Sequence, residues 1–230
     1  MAKKKDAAEE RIVAVEEALS KTEQFIENNQ KYITYVVVAL IVVILVFFGY
    51  RKFVQMPKEQ KAQMAIYKAQ NYFEADSIDL ALFGDGESYG FVDVADDYAS
   101  TEAGNLAKYY CGLCYMQKGE YEEAIKYLKK YKSDDLLTPS MALGVLGDAY
   151  MQLEEIDKAI DYYMDAASKN ENEFTSPTFL MKAGWALEIN KEYAKALEVF
   201  NKIKKEYPKA REAREIDKFI ARLKVQTGEL

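Results

Sequence analysis

The sequence of 230 residues contains no histidine, and it has only two cysteines, four prolines and one tryptophan. Because imidazole is the commonest general base and the commonest zinc ligand, its absence excludes a metalloprotease or a serine hydrolase that uses a histidine. The chain also lacks a basic surplus, with 31 Lys+Arg against 38 Asp+Glu and a formal net charge of −7. Phosphate binding requires a basic surface, so no nucleic-acid partner is expected.

Charged residues are missing from the segment between Lys31 and Arg51, although the mean hydropathy of the chain, −0.31, is that of a soluble protein. Residues 33–50 (ITYVVVALIVVILVFFGY) include thirteen Ile, Leu, Val or Phe. Eighteen helical residues extend about 27 Å, close to the roughly 30 Å of a bilayer core. We therefore predict one uncleaved transmembrane signal anchor at 33–50, in contact with lipid. Its apolar residues include Ile33, Val38, Ile41, Leu45 and Phe48.

The charges beside this span do not settle its orientation. The twenty residues before it contain two basic residues and the twenty after Tyr50 contain five. The positive-inside rule then puts the C-terminal domain in the cytoplasm, but the rule is weakest for long translocated domains such as this one.

The N-terminal tail, residues 1–32, has an amphipathic pattern. Its apolar positions recur at spacings of three and four, as in a short coiled-coil seam or a helix that docks on a partner, and a solvated tail is the alternative. These positions are Ile12, Val15, Leu19, Thr22 and Ile26. Residues 51–58 are interpreted as a short linker.

Three glycines, Gly112, Gly147 and Gly184, mark an internal repeat with intervals of 35 and 37 residues. After each glycine, an aromatic residue or Leu follows at the third position, Ala at the twelfth and a bulky apolar residue at the sixteenth. The three sets are Gly112, Tyr115, Ala124 and Leu128; Gly147, Tyr150, Ala159 and Tyr163; and Gly184, Leu187, Ala196 and Phe200.

The stretches GLCYMQKGEYEEAIKYL, GDAYMQLEEIDKAIDYY and GWALEINKEYAKALEVF resemble the tetratricopeptide repeat, a helix pair in which small residues allow close approach and large ones fill the gap. The predicted fold is all-α: a transmembrane helix, then an α-solenoid of three to four helix pairs, then a capping helix. We place a degenerate first repeat at 59–102, three repeats at 103–208 and the cap at 209–230.

Helical geometry predicts a concave face at fixed offsets from each glycine. Four methionines, one tryptophan and one tyrosine there would form a soft apolar groove for a partner, although several could instead pack on neighbouring helices. A carboxylate clamp needs Lys, Arg and Asn on this face and is disfavoured. The predicted groove residues are Leu106, Tyr109, Leu113, Met116, Met141, Gly144, Asp148, Met151, Thr178, Met181, Trp185 and Glu188.

Cys111 and Cys114 form a CxxC pair in the middle of a predicted helix. Two small buried packing residues and a redox or metal pair are the alternatives, and the first is favoured because neither a preceding strand nor a second pair accompanies the motif. We expect no catalytic site, metal, cofactor or small-molecule substrate.

A signal anchor followed by NLAKYYCGLCYMQKGEYEEAI, GDAY, FLMKAGWALE and KIKKEYP resembles the YfgM-like tetratricopeptide proteins of bacterial inner membranes. The resemblance implies a cytoplasmic N-terminus and a periplasmic repeat domain. It also implies partners among translocon subunits, chaperones and exported chains. A cytoplasm-facing receptor for targeting sequences and a general assembly scaffold of a membrane complex are alternatives, and a CxxC oxidoreductase ranks last.

Overall fold

The computed structural model describes the backbone of residues 2–229 and the side chains of residues 23–229. It divides into two compact units, residues 1–57 and 58–230. Residues 2–229 contain no strand, so the predicted all-α class is confirmed. The helices are α1 (Ala2–Tyr50), α2 (Met56–Glu74), α3 (Ile78–Phe83), α4 (Phe91–Asp97), α5 (Glu102–Lys118), α6 (Tyr121–Leu128), α7 (Thr138–Gln152), α8 (Ile156–Ser168), α9 (Thr175–Ile189), α10 (Tyr193–Glu206) and α11 (Ile216–Thr227).

The first unit is dominated by α1, which contains the predicted span. The helical segment Glu23–Glu74 includes an 18-residue window of mean hydropathy 2.8, none of it buried in the protein. Val38, Ile41, Leu45 and Phe48 are all exposed. The segment is therefore long and apolar enough to cross a membrane. Of the predicted amphipathic seam in the tail, only Ile26 lies within the described side chains, and it is exposed.

The segment predicted to be a short linker, residues 51–58, is helical. Residues Arg51–Gln55 form a short π-helix, in which the N–H of Met56 donates to the carbonyl of Arg51, five residues earlier. Pro57 has no amide hydrogen, and its ring crowds the carbonyl four residues before it. The widened turn immediately before Pro57 lies where the regular hydrogen-bond pattern of the helix is interrupted.

The second unit contains three helix pairs, α5 with α6, α7 with α8 and α9 with α10. In each pair, a glycine of the first helix faces a bulky side chain of the second helix. A Cβ built on Gly112 would lie 2.4 Å from Leu128, one on Gly147 would lie 2.5 Å from Tyr163, and one on Gly184 would lie 2.2 Å from Phe200. Since real Cβ atoms do not approach neighbours so closely, only glycine permits this helix spacing. The partners are the bulky residues that the repeat places sixteen positions later.

The turn inside each pair has the same backbone conformation. Seven residues after the repeat glycines, Gly119, Glu154 and Lys191 have φ of 75°, 60° and 62°. The following N–H then donates to a carbonyl five residues earlier, as Glu155 does to Tyr150, which is the Schellman arrangement that ends a helix. Only the first of the three turns uses a glycine for this left-handed position.

The ends of the repeat unit are closed by different elements. At its start, α2, α3 and α4 pack through Ala69, Ala81 and Phe91, which are fully buried. At its end, a 3-10 turn (Arg211–Glu215) leads into α11. Ile216 and Leu223 of α11 are buried on α10, which confirms the predicted capping helix.

Candidate partner-binding groove

Trp185 occupies the centre of the candidate groove. Its side chain lies on α9 and is 44% exposed, which is unusual for a residue of this size and hydrophobicity. The indole packs edge-on against Phe219 of α11, with ring centroids 6.3 Å apart. Two cavities open beside it, one toward the cap and one toward the preceding repeat.

The cavity toward the cap, here called the cap pocket, has a volume of about 600 Å³. Its floor is Met181, which is 6% exposed, and its walls are the rings of Trp185 and Phe219. Polar and charged side chains of α9 and the 3-10 turn form the rim. The rim residues are Thr178, Lys182, Arg211, Glu212, Arg214 and Glu215.

The cavity toward the preceding repeat, here called the repeat pocket, has a volume of about 500 Å³. Its aliphatic and indole side chains are Met151 of α7 together with Trp185, Ala186 and Ile189 of α9. Ile189 is 57% exposed. Trp185 and Lys182 line both cavities, which are together called the groove.

A polar network fixes the walls of the repeat pocket. Lys182 donates to both carboxylate oxygens of Asp148, at 2.7 and 2.8 Å, and the Tyr163 hydroxyl donates to the same carboxylate at 2.7 Å. Burial and this hydrogen bond raise the pKa of Tyr163 above its ordinary value. Three helices, α7, α8 and α9, are thus joined at one carboxylate.

The structure brings together five of the predicted groove residues. Asp148 and Met151 line the repeat pocket, Thr178 and Met181 line the cap pocket, and Trp185 lines both. Helical offsets from the repeat glycines are sufficient to find these five.

The other predicted groove residues lie outside the two pockets. Tyr109 is buried, with its ring 5.3 Å from that of Tyr131, so it is a packing residue. Gly144 faces the buried ring of Phe179, and Glu188 pairs with Arg222 at 2.7 Å. Leu106, Leu113 and Met116 are half-buried against the core, whereas Met141 is exposed.

Several lining residues were not predicted from the sequence. Phe219 and Glu212 lie 34 positions after Trp185 and Thr178, so treating α11 as the first helix of a further repeat would have found them. Further lining residues lie at other offsets, so the repeat spacing does not point to them. Among these are Lys182, Ile189, Arg211 and Arg214.

The two cysteines are buried in the helix-packing interface of α5. Burial raises the pKa of the Cys114 thiol to about 12 and also raises that of Cys111. Because the thiolate is the reactive and metal-binding form, protonated thiols in this environment are poor nucleophiles. The geometry therefore favours packing over redox chemistry for the CxxC pair.

Comparison with known proteins identifies the helical-repeat fold. Profiles of the tetratricopeptide repeat match residues 141–211 and 111–133. Repeats of a Podosopora anserina protein titled as a kinesin light chain are 14% identical to the chain, cover 74% of it and 88% of their own length, and superpose with a TM-score of 0.54. A MamA protein is 18% identical, covers 73% of this chain and 94% of its own, and has a TM-score of 0.52.

At these identities the likeness establishes only the helical-repeat fold. No curated protein matches the sequence. The matched repeat is typically a scaffold for protein interaction rather than a catalytic unit. Together with an N-terminal helix apolar enough to span a membrane, this describes a repeat scaffold with a partly apolar groove around Trp185.

Proposed function

We propose that this chain is a membrane-anchored scaffold that binds protein partners through the groove around Trp185. The observation that carries the proposal is the exposure of the Trp185 indole between two cavities. One cavity contains Met181 and Phe219, and the other contains Met151 and Ile189. Large aromatic anchors in such positions dominate the energy of protein interfaces. Methionine side chains repack around varied apolar segments, so the groove suits several partners rather than one.

The cellular setting we propose is the protein-export channel of a bacterial inner membrane. The N-terminus lies in the cytoplasm and the repeat domain in the periplasm, where it links translocon subunits to chaperones and to emerging chains. The resemblance of the repeat sequences and the preceding span to YfgM-like proteins supports this setting. A newly exported chain exposes apolar segments before it folds, and the groove has the chemistry to hold them.

A paired substitution in the groove tests this function. Trp185→Asp with Ile189→Asp places two charges on exposed positions, so the repeat fold should persist while apolar capture is lost. The full chain, extracted in a mild detergent, is assayed for copurification of the export channel and its associated chaperones. We expect at least about tenfold less partner with this variant, because truncated aromatic anchors cost about 2 kcal/mol or more.

The matched control is Leu136→Asp with Phe174→Asp. Leu136 and Phe174 are 60% and 79% exposed and lie outside both pockets. The control should retain its partners. Unchanged copurification with the groove variant, or equal losses in both variants, would contradict the proposed groove function.

A second candidate, a cytoplasm-facing receptor for targeting sequences, is favoured by one observation. Five basic residues follow the span within twenty positions, against two before it, and the positive-inside rule places the richer side in the cytoplasm. Protease added to intact spheroplasts separates the two candidates. Digestion of residues 60–230 supports the periplasmic scaffold, whereas protection until the membrane is opened supports the receptor.

A further inference from the structure

The charges of the repeat unit are unevenly distributed along the chain. Residues 202–224 contain nine Lys or Arg and four Asp or Glu, whereas residues 51–201 contain sixteen and twenty-six. The C-terminal end is therefore locally basic, with a net charge of +5, on a domain that is otherwise strongly acidic. This basic end forms one side of the cap pocket, and α9 forms the other.

Most charges at the rim of the cap pocket already have partners. Lys182 is bound by Asp148, Glu212 accepts a hydrogen bond from Thr178 at 2.8 Å, and Glu215 pairs with Lys218 at 3.3 Å. The polar side chains of α9 at the rim and the two acids of the 3-10 turn, Glu212 and Glu215, therefore already have polar partners.

Arg211 and Arg214 differ from the rest of the rim. Both are exposed, and within residues 23–229 neither forms an ion pair. A guanidinium presents a planar fork of donors that matches a carboxylate, so two such arginines beside an open cavity favour an acidic ligand group. The positive potential of the surrounding segment acts in the same direction.

The floor and walls of the cap pocket favour an apolar ligand group rather than an acidic one. Met181, Trp185 and Phe219 present an apolar surface that is recessed between α9 and α11. An occupant therefore needs an apolar side chain that reaches the floor and carboxylates that remain at the rim. A polypeptide segment supplies both from neighbouring residues.

We propose that the cap pocket selects partner segments in which an apolar or aromatic residue is flanked by acidic residues. This inference rests on the proposed binding function and specifies its ligand chemistry. The apolar residue enters between Trp185 and Phe219, and the flanking carboxylates pair with Arg211 and Arg214. Apolar segments with basic flanks are disfavoured, since their charges would face the same two arginines.

Fluorescence anisotropy tests this selectivity with the full chain in an uncharged detergent. Three fluorescein-labelled peptides of about twelve residues share a Leu-Phe-Leu centre and carry flanks of glutamate, glutamine or lysine. We expect the glutamate peptide to bind most tightly and the lysine peptide least. Arg211→Gln with Arg214→Gln should weaken the glutamate peptide about fivefold, the effect of two exposed charge pairs, and leave the glutamine peptide unchanged.

Lys205→Gln with Lys209→Gln is the matched control, because it removes the same charge from the same segment outside the pocket. Equal affinity for the three peptides, or equal weakening by both double variants, would overturn the selectivity while leaving the scaffold function standing. Failure of all three peptides to bind the unaltered chain would overturn both.

A second copy of the chain is the competing occupant. Residues 69–107 contain nine acidic and no basic residues, with exposed Leu80, Phe83 and Tyr89 among them. Sedimentation velocity over a range of protein concentrations, without peptide, tests this alternative. A monomer supports the proposal, whereas self-association that is lost in the double arginine variant would assign the pocket to a second copy and overturn it.

Discussion

Replacing Gly184 with alanine should destabilise the third helix pair, because the new Cβ has no room. It would lie 2.2 Å from the Cε1 atom of Phe200, whereas ordinary contact begins at roughly 3.4 Å, so ring or helix must move by about 1.2 Å. Phe200 is completely buried and cannot rotate into solvent. Overpacking of this kind costs about 1–3 kcal/mol. The better helix propensity of alanine returns about 1 kcal/mol, so a net loss of up to about 2 kcal/mol is expected.

A double-mutant cycle isolates the clash from the helix propensity. Phe200→Leu alone leaves a partial void and should cost about 1–2 kcal/mol. When both substitutions are present, the smaller leucine accepts the new methyl group. The double variant should then be more stable than the sum of the two losses predicts, by about 1 kcal/mol.

Trp185 provides the assay, since it is the only tryptophan of the chain and lies on the same helix as Gly184. Urea unfolding of the full chain in detergent, followed by tryptophan fluorescence, gives the free energy of unfolding for each variant. Strictly additive losses in the cycle would refute the close approach of α9 and α10 as the reason for glycine at this position.

Two further predictions concern the turn and the polar network of the last repeats. Lys191→Gly should raise the free energy of unfolding by about 1 kcal/mol, because glycine adopts the left-handed conformation without the cost that a side chain incurs; an unchanged urea midpoint would contradict this. The pKa of Tyr163 is raised on folding, so its contribution is fully present below the ordinary tyrosine value of about 10 and is lost as the pH rises above it. Urea midpoints between about pH 8 and 11 should fall more steeply for the wild-type chain than for Tyr163→Phe, and parallel curves would contradict the raised pKa of Tyr163.

Much of the fold could be predicted from spacing alone. A glycine followed by a bulky residue sixteen positions later is a direct consequence of two helices crossing closely, so the positions of Gly112, Gly147 and Gly184 are enough to identify three helix pairs. The π-helix at Arg51–Gln55 could not be predicted, because Pro57 signals a break in hydrogen bonding and either a loop or a widened helix can satisfy it.

The groove was only partly predictable for a similar reason. Offsets along one helix find Asp148, Met151 and Trp185, since these depend only on helical periodicity. Arg211 and Arg214 lie beside the cap pocket because the 3-10 turn places them there. The path of that turn depends on how α11 packs. Tyr109 satisfies the same offset rule as Met181, but its neighbour Tyr131 covers it. Whether a periodic position lines a cavity is thus decided by the adjoining segments, which have no period.

Three of the polar contacts between successive repeats share one sequence separation. Asp148 with Lys182, Thr178 with Glu212, and Glu188 with Arg222 are each 34 residues apart. A duplicated or deleted segment of one whole repeat would keep such contacts in register, whereas the insertion of a single residue within a helix would break every contact beyond it on that face. The length of this domain can therefore change over evolution in steps of one repeat, provided that the capping helix still covers the last helix pair.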